Sequence, residues 1–356
     1  MDKFRTLYDK YINNDNPYID WNKIELIDDS SFINLDNLPS IDNDKINFIN
    51  KRVCIIKLNG GLGTTMGCTG PKSLLEIKEG LTFMDIIIHQ CKKNPIIPLI
   101  FMNSFYTHEQ TIDYIKNKNF DDDLNIKTFN QNCYPRILKD TKKPLDNLND
   151  KEFLYPPGHG DLLQSIYDSK ILDELIESGI EYAFISNVDN LGAKIDYRIP
   201  SILLESNIDF AIELTPKTIN DVKGGTLIKY ENKYKMFEIA QCPPNKLSEF
   251  TSVEKFKYFN TNNIWIKLSS IKKIMESDYM KNIDIIINYK KLKDDRDCIQ
   301  LEYAIGSMVK FFDNVTCFIV SRERFIPVKT NNDLELIRSD KYIINKETWN
   351  FLSKKN

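Results

Sequence analysis

No CxxC pair occurs in this 356-residue sequence; its seven cysteines (54, 68, 91, 133, 242, 298 and 317) are scattered and odd in number. That spacing argues against a disulfide framework and against a cysteine-rich zinc site, and a reducing, cytoplasmic setting is the expectation. Long apolar runs are absent too. Nothing approaches eighteen consecutive apolar residues, and MDKFRTLYDKYINNDNPYID at the start lacks an apolar h-region. Neither a spanning helix nor a signal peptide is therefore expected. There is no excess of positive charge: 48 basic against 51 acidic residues leave a net charge of -3. Such a balance gives no global field for nucleic acid or an anionic membrane, while leaving room for a local patch that holds a phosphorylated small molecule. What the chain does have is ordinary for a globular protein, with 42% hydrophobic and 28% charged residues. Its length suits one large domain or two moderate ones.

Residues 1–50 are dense in Asp and Asn and read as a helical arm with loops. From residue 51 the pattern becomes strands alternating with helices. Strands are predicted at 52–58, 97–102, 182–187, 208–214 and 314–320, and helices near 83–94, 106–117, 161–177 and 299–312. Alternation of this kind implies βαβ units, hence an α/β fold with a mainly parallel sheet flanked by helices. Residues 224–240 differ: two alternating runs flank Glu231-Asn232 and predict a hairpin set beside the main sheet. The catalytic domain is expected to span 51–330, and 331–356 to form a short C-terminal tail.

The stretch KLNGGLGTTMGCTGPKS, Lys57 to Ser73, follows a buried-strand pattern and looks like a phosphate grip. A dinucleotide turn needs GxGxxG, but Gly61, Gly63 and Gly67 are spaced one residue too long, and Pro71 interrupts the helix that should follow. A P-loop needs lysine directly after glycine, and here Pro71 separates Gly70 from Lys72. The remaining template is a long glycine loop that wraps a nucleoside triphosphate. Its backbone N–H groups line an anion-friendly surface and Lys72 returns a compact positive charge. Such a loop suits nucleotidyl transfer, in which the α-phosphorus must stay open to attack.

Other motifs have a bland and a functional reading. In LYPPGHGD, Gly158 and Gly160 let backbone approach a ligand and His159 projects before a helix; a loop histidine is more often an ordinary surface residue or cap. AFISNVDNLGA ends a strand in Asn187, Asp189 and Asn190, either a capped turn or a single-carboxylate seat for Mg²⁺ at the carboxyl edge of a sheet. In FNTNNIWI, Asn260 and Asn262 either form Asx turns or offer paired donors and acceptors to sugar hydroxyls. SRERFIPVKT reads as a solvated basic run, or as a rigid Ile-Pro-Val that aims Lys329.

With these motifs in order, from about Trp21 to Ser339, the sequence resembles the UDP-glucose pyrophosphorylase (UTP–glucose-1-phosphate uridylyltransferase) family, whose signature loop LNGGLGTTMGCTGPKS is similar to. The resemblance implies a Rossmann-like nucleotidyltransferase fold with a mixed central sheet and a small β-hairpin subdomain. It implies Mg²⁺-dependent formation of UDP-glucose and pyrophosphate from UTP and glucose 1-phosphate. Catalysis would fall to Lys329 and Lys72. Nucleotide contacts would fall to Leu58, Asn59, Gly60, Gly61, Lys72, Met102, Gln131, Gly158, Asp189 and Lys329. The sugar phosphate would meet Gly61, His159, Asn187, Gly225, Glu238, Asn260 and Asn262, with Asp189 as metal ligand. The implied partners are UTP or UDP-glucose and glucose 1-phosphate, with no nucleic acid or membrane, in a monomer or small homo-oligomer. The family continues past its lysine motif into a domain of stacked β-turns, whereas 27 residues follow Lys329 here, so 331–356 is expected to stand in its place. Two alternatives stay open: an N-acetylhexosamine or broad-specificity UDP-sugar pyrophosphorylase, and a non-catalytic nucleotide-sugar-binding homologue.

Overall fold

The computed structural model describes residues 2–13, 18–120, 124–221 and 224–354. Its centre is an eight-stranded sheet built from β1 (Ile33–Asn34), β2 (Val53–Asn59), β3 (Leu99–Asn103), β4 (Ile126–Asn130), β5 (Tyr182–Asn187), β6 (Phe210–Pro216), β7 (Tyr258–Lys267) and β8 (Val315–Ile319). They lie in the order β1-β8-β6-β7-β5-β2-β3-β4. Only β7 runs antiparallel to its neighbours β5 and β6; the other pairings are parallel. The fold is therefore α/β with a mixed, mainly parallel sheet.

Both faces of the sheet are covered, which explains the continuous apolar strands. Along β2, Cys54, Ile56 and Leu58 face one core cluster, while Val53 and Ile55 face another. Helices α1 (Asp2–Asn13), α4 (Leu162–Asp168), α5 (Ile171–Glu177) and α7 (Leu268–Met275) bring Leu7, Leu163, Leu172 and Ile271 to the first face. Helices α2 (Phe83–Cys91), α3 (His108–Asn117) and α6 (Arg198–Ser206) bring Ile88, Ile115 and Ile199 to the second. Beside the sheet, strands Thr226–Tyr230 and Lys233–Phe237 form the expected hairpin. Glu231 and Asn232 both have positive φ, 53° and 64°, the two-residue turn whose twist matches the strands. After Lys329 come α8 (Asn331–Arg338) and a second hairpin, Tyr342–Asn345 with Asn350–Ser353.

Three expectations need correction. The helix expected over 161–177 is two, α4 and α5, because Lys170 takes a left-handed conformation (φ 68°) between them. The helix expected over 299–312 is instead a strand, Asp297–Glu302, followed by a 3₁₀ segment, Ile305–Phe311. Residues 1–50 are more than an arm: β1 pairs with the edge of the central sheet, and Ile24–Glu25 pairs with the hairpin.

Candidate active site

The carboxyl ends of β2, β3 and β5 lie side by side, and a cleft of about 270 Å³ opens above them. Open α/β sheets bind ligands at this edge, where the strand order reverses. Leu58, Gly60, Gly61, Lys72, Met102, Gln131, Gly158, His159, Asn187, Asp189 and Lys329 all line the cleft, so the structure brings these sequence candidates together. Past β2 the chain turns through Gly60 and Gly61 and folds back, the Lys72 N–H donating to the Gly61 carbonyl at 3.1 Å. Gly63 and Gly67 sit at φ 63° and 73° on either side of a single 3₁₀ turn, a conformation costly to side-chain-bearing residues. A Cβ on Gly60 would lie 2.1 Å from Gln131 Nε2. The Gln131 amide therefore packs directly over the loop, and its buried Oε1 has no hydrogen-bond partner.

At the cleft floor Asp189 lies between two ammonium groups. Lys72 Nζ donates to its Oδ2 at 2.6 Å, and Lys329 Nζ to Oδ1 and Oδ2 at 2.9 and 2.7 Å. Lys72 and Asp189 are buried, whereas the Lys329 side chain is half exposed. Burial alone would raise the Asp189 carboxyl, but Lys329 and Lys72 outweigh it and hold it below the ordinary aspartate value. The lysines arrive from opposite ends of the sequence on a rigid frame. The Val328 N–H donates to the Asp189 carbonyl at 3.0 Å, the Leu191 N–H to the Ile326 carbonyl at 3.1 Å, and Val328 returns its own carbonyl to Lys72 Nζ. Just beyond, Thr330 and Asp333 close a capping box that starts α8.

The PPGHG turn forms the facing wall. Gly158 takes φ 91° with the Tyr303 carbonyl 2.8 Å from where a Cβ would stand, so the backbone here tolerates no side chain. His159 Nδ1 accepts from the Ile305 N–H at 3.0 Å, which places the ring proton on Nε2. Burial first, then the Lys329 charge, pushes His159 down to about 4. It is a neutral donor at physiological pH. Behind the turn, Tyr303 Oη and the Asn132 N–H donate to Asp161 at 2.6 Å each, tying it to the sheet.

The remaining candidates form a second group joined to the cleft through one hydrogen bond. Asn262, at φ 58° beside a bulge between β6 and β7, donates from Nδ2 to Asn187 Oδ1 at 3.0 Å. Its own N–H donates to Asn260 Oδ1 at 2.9 Å, and the Asn260 N–H to the Gly225 carbonyl at 3.0 Å. A Cβ on Gly225 would stand 2.6 Å from Glu238 Oε1. Burial pushes the Glu238 carboxyl up to about 7.

Asn59 is the exception. Its side chain is fully buried behind the loop, where Nδ2 donates to Asn103 Oδ1 (2.7 Å) and Thr111 Oγ1 (2.9 Å), so it braces β2 against β3 instead of facing the cleft. Sequence reasoning missed Gln300 and Glu302, which line the cleft from strand Asp297–Glu302. The alternation in DCIQLE was the available signal, and a helical reading of 299–312 hid it. No cluster of three or more metal-ligating side chains occurs among the described residues; the carboxylates among the described lining residues are Asp189 and Glu302.

Residues 1–356 match the family described as UTP–glucose-1-phosphate uridylyltransferase. Among relatives, the chain is 44% identical over 348 residues to UTP–glucose-1-phosphate uridylyltransferase 2 of Dictyostelium discoideum, covering 96% of this chain and 69% of that protein. It is 43% identical to the Solanum tuberosum UTP–glucose-1-phosphate uridylyltransferase, covering 97% of this chain and 73% of that one. Among solved structures, UDP-glucose phosphorylase from Trypanosoma brucei superposes with a TM-score of 0.88 at 33% identity, over 99% of this chain and 78% of that one. A Leishmania major UDP-glucose pyrophosphorylase mutant in complex with UDP-glucose gives a TM-score of 0.87 at 31% identity, over 99% and 78%.

Proposed function

The chain belongs to the UTP–glucose-1-phosphate uridylyltransferase family, and from that premise we propose how its residues transfer the uridylyl group of UTP to glucose 1-phosphate, releasing pyrophosphate. The observation that carries the assignment of roles is Asp189 clasped by Lys72 and Lys329 beside an open glycine loop. An oxygen of the sugar phosphate attacks the α-phosphorus of UTP, and pyrophosphate leaves in line. The attacking phosphate is already ionised at neutral pH, so no general base is required. That agrees with a neutral His159 serving as a donor from Nε2 instead of a proton acceptor. The work is alignment and charge neutralisation.

In this reading Gly60 and Gly61 present backbone to the phosphates and Gln131, with its unpartnered Oε1, reads the uracil edge. Leu58, Met102 and Gly158 wall the nucleoside. His159 and Asn187 receive the sugar phosphate, while Gly225, Glu238, Asn260 and Asn262 accept the hexose. Lys72 and Lys329 turn from Asp189 to the triphosphate, Lys72 toward its outer phosphates and Lys329 toward the α-phosphate.

The donor set fits magnesium in one way. Mg²⁺ is commonly held by one or two carboxylates with phosphate oxygens and water completing its shell, and Asp189 supplies one carboxylate once an ammonium leaves it. Such an ion would neutralise phosphate charge during transfer. We further read the protein as a cytoplasmic monomer or small homo-oligomer without nucleic-acid or membrane partners. Unpaired cysteines and balanced charge support that part, and among the described residues no helix is long and apolar enough to cross a membrane.

The test is pyrophosphate release by the purified chain from UTP with glucose 1-phosphate, with N-acetylglucosamine 1-phosphate alongside and with EDTA as a control. Release with glucose 1-phosphate that EDTA abolishes is expected. Absence of release from folded protein overturns the catalytic reading, and preference for the N-acetylated sugar overturns the substrate.

A further inference from the structure

A second cavity, of about 180 Å³, opens on the other core face between β2, β5, α2 and the C-terminal hairpin, and shares no residue with the catalytic cleft. An apolar patch of Ile55, Ile87, Ile97 and Phe184 stands beside polar Gln90, Asn94 and Tyr197, and the charged members are Lys57, Lys93 and Lys194, with no Asp or Glu among the described lining residues. Lys57 is only 2% exposed. Its ammonium donates to two neutral oxygens, Ser186 Oγ at 2.8 Å and the Ala193 carbonyl at 3.1 Å. An ammonium carries three N–H donors, so these bonds leave one without an oxygen partner, with the Phe184 ring of the cavity wall 5.9 Å from Nζ. The carboxylate that acts on Lys57 electrostatically is Glu213. It is already taken by Arg324, whose Nε and one terminal nitrogen each reach it at 2.7 Å. Burial accordingly pulls Lys57 down to about 8.

A buried cation with neutral partners and apolar surroundings is stabilised by an incoming anion. We infer that this cavity binds a small monocarboxylate with an apolar body, its carboxylate on Lys57 Nζ and its hydrocarbon against Ile55, Ile87, Ile97 and Phe184. The size fits: an apolar cavity of about 150 Å³ takes up benzene. The occupant would sit one residue behind the cleft, since Lys57 precedes Leu58 on β2 and Ser186 precedes Asn187 on β5.

Calorimetric titration of the full chain with benzoate, and with its neutral analogue benzyl alcohol, tests this. Benzoate should bind about ten-fold tighter than benzyl alcohol, and Lys57→Met should erase that preference while keeping the alcohol. Equal affinities, no binding of benzoate, or a preference that survives Lys57→Met overturns the assignment. Should Lys57→Met fail to fold, the parent protein answers through Cys91, which lines the same cavity. Saturating benzoate should slow its alkylation by iodoacetamide, read by peptide mass, while leaving Cys68 unchanged. Equal rates at Cys91 with and without benzoate overturn the assignment.

Discussion

The two lysines on Asp189 differ in what they would leave behind. Lys72 is buried and also serves the Val328 carbonyl, whereas the Lys329 side chain is 53% exposed. Truncating Lys329 leaves Asp189 paired with Lys72, so Lys329→Ala should fold and lose transition-state stabilisation alone. A fall in kcat of about 10²–10³ is expected, the loss typical of removing one group that neutralises developing charge. Near-normal turnover in steady-state assays would remove Lys329 from the chemistry. Lys72→Ala should also lower the unfolding midpoint, because it strips a buried carboxylate of a buried partner. Glu238 makes a prediction of its own. Its folded value of about 7 lies above the ordinary 4.5, so between those values the folded chain keeps a proton that the unfolded chain has lost. Stability from this group therefore falls as pH rises through that window. Glu238→Gln should raise the urea midpoint relative to the parent at pH 8 and not at pH 4, and an equal shift at both would contradict a desolvated carboxyl.

Among elements, the glycine loop separates conformational need from ligand need. Gly60 and Gly61 are adjacent, yet a Cβ at Gly60 collides with Gln131 whereas one at Gly61 meets no atom within 4 Å. Gly60→Ala should displace Gln131 and raise KM for UTP. Gly61→Ala should leave the unfolding midpoint of the ligand-free protein unchanged and cost activity, because the new methyl stands where the ligand approaches backbone. A Gly61→Ala enzyme with unaltered kinetics would mean that the phosphates pass elsewhere. The same loop shows what sequence can carry. Gly63, Gly67 and Lys72 advertise their purpose through spacing, because left-handed backbone and a returning cation require those residue types. Asn59 lies in the same motif, but its side chain points behind the strand, a matter of pleat parity that neighbouring glycines obscure. Gln300 and Glu302 were lost for a different reason. YAIGSMVKFF after them favours a helical pattern, and only pairing with Ile286–Lys291 and Ile137–Leu138 makes 297–302 a strand. Long-range pairing of that kind also decides β7, whose antiparallel place between β5 and β6 no local pattern announces.

For the whole molecule, the C-terminal residues share a core with the segment that carries Lys329. Val328 belongs to a core cluster with Ile77, Phe83 and Ile86 from the segment after the glycine loop, and Leu334, Ile337, Ile344 and Phe351 from α8 and the last hairpin. Lys78 Nζ adds hydrogen bonds to the carbonyls of Ile337, Arg338 and Ser339, and Trp349 stacks on His89 of α2 at 3.9 Å. The segment after the second lysine thus holds Ile326–Lys329 against β5 from one side while Asp189 holds it from the other. Phe351, far along the chain from the cleft, is buried at 5% exposure. Phe351→Ala should cost about 3–5 kcal/mol, the usual loss for emptying a buried phenyl site. If this cluster sets the position of Lys329, the surviving folded enzyme should also lose kcat at saturating substrates, since 1 Å of misplacement at a reacting group can cost about 10²-fold. Urea unfolding and steady-state kinetics on one preparation separate the two effects. A large stability loss with unchanged kcat would show that Asp189 and the Asn190–Pro327 bridge suffice to aim the lysine, and that the C-terminal unit stabilises the chain without tuning its chemistry.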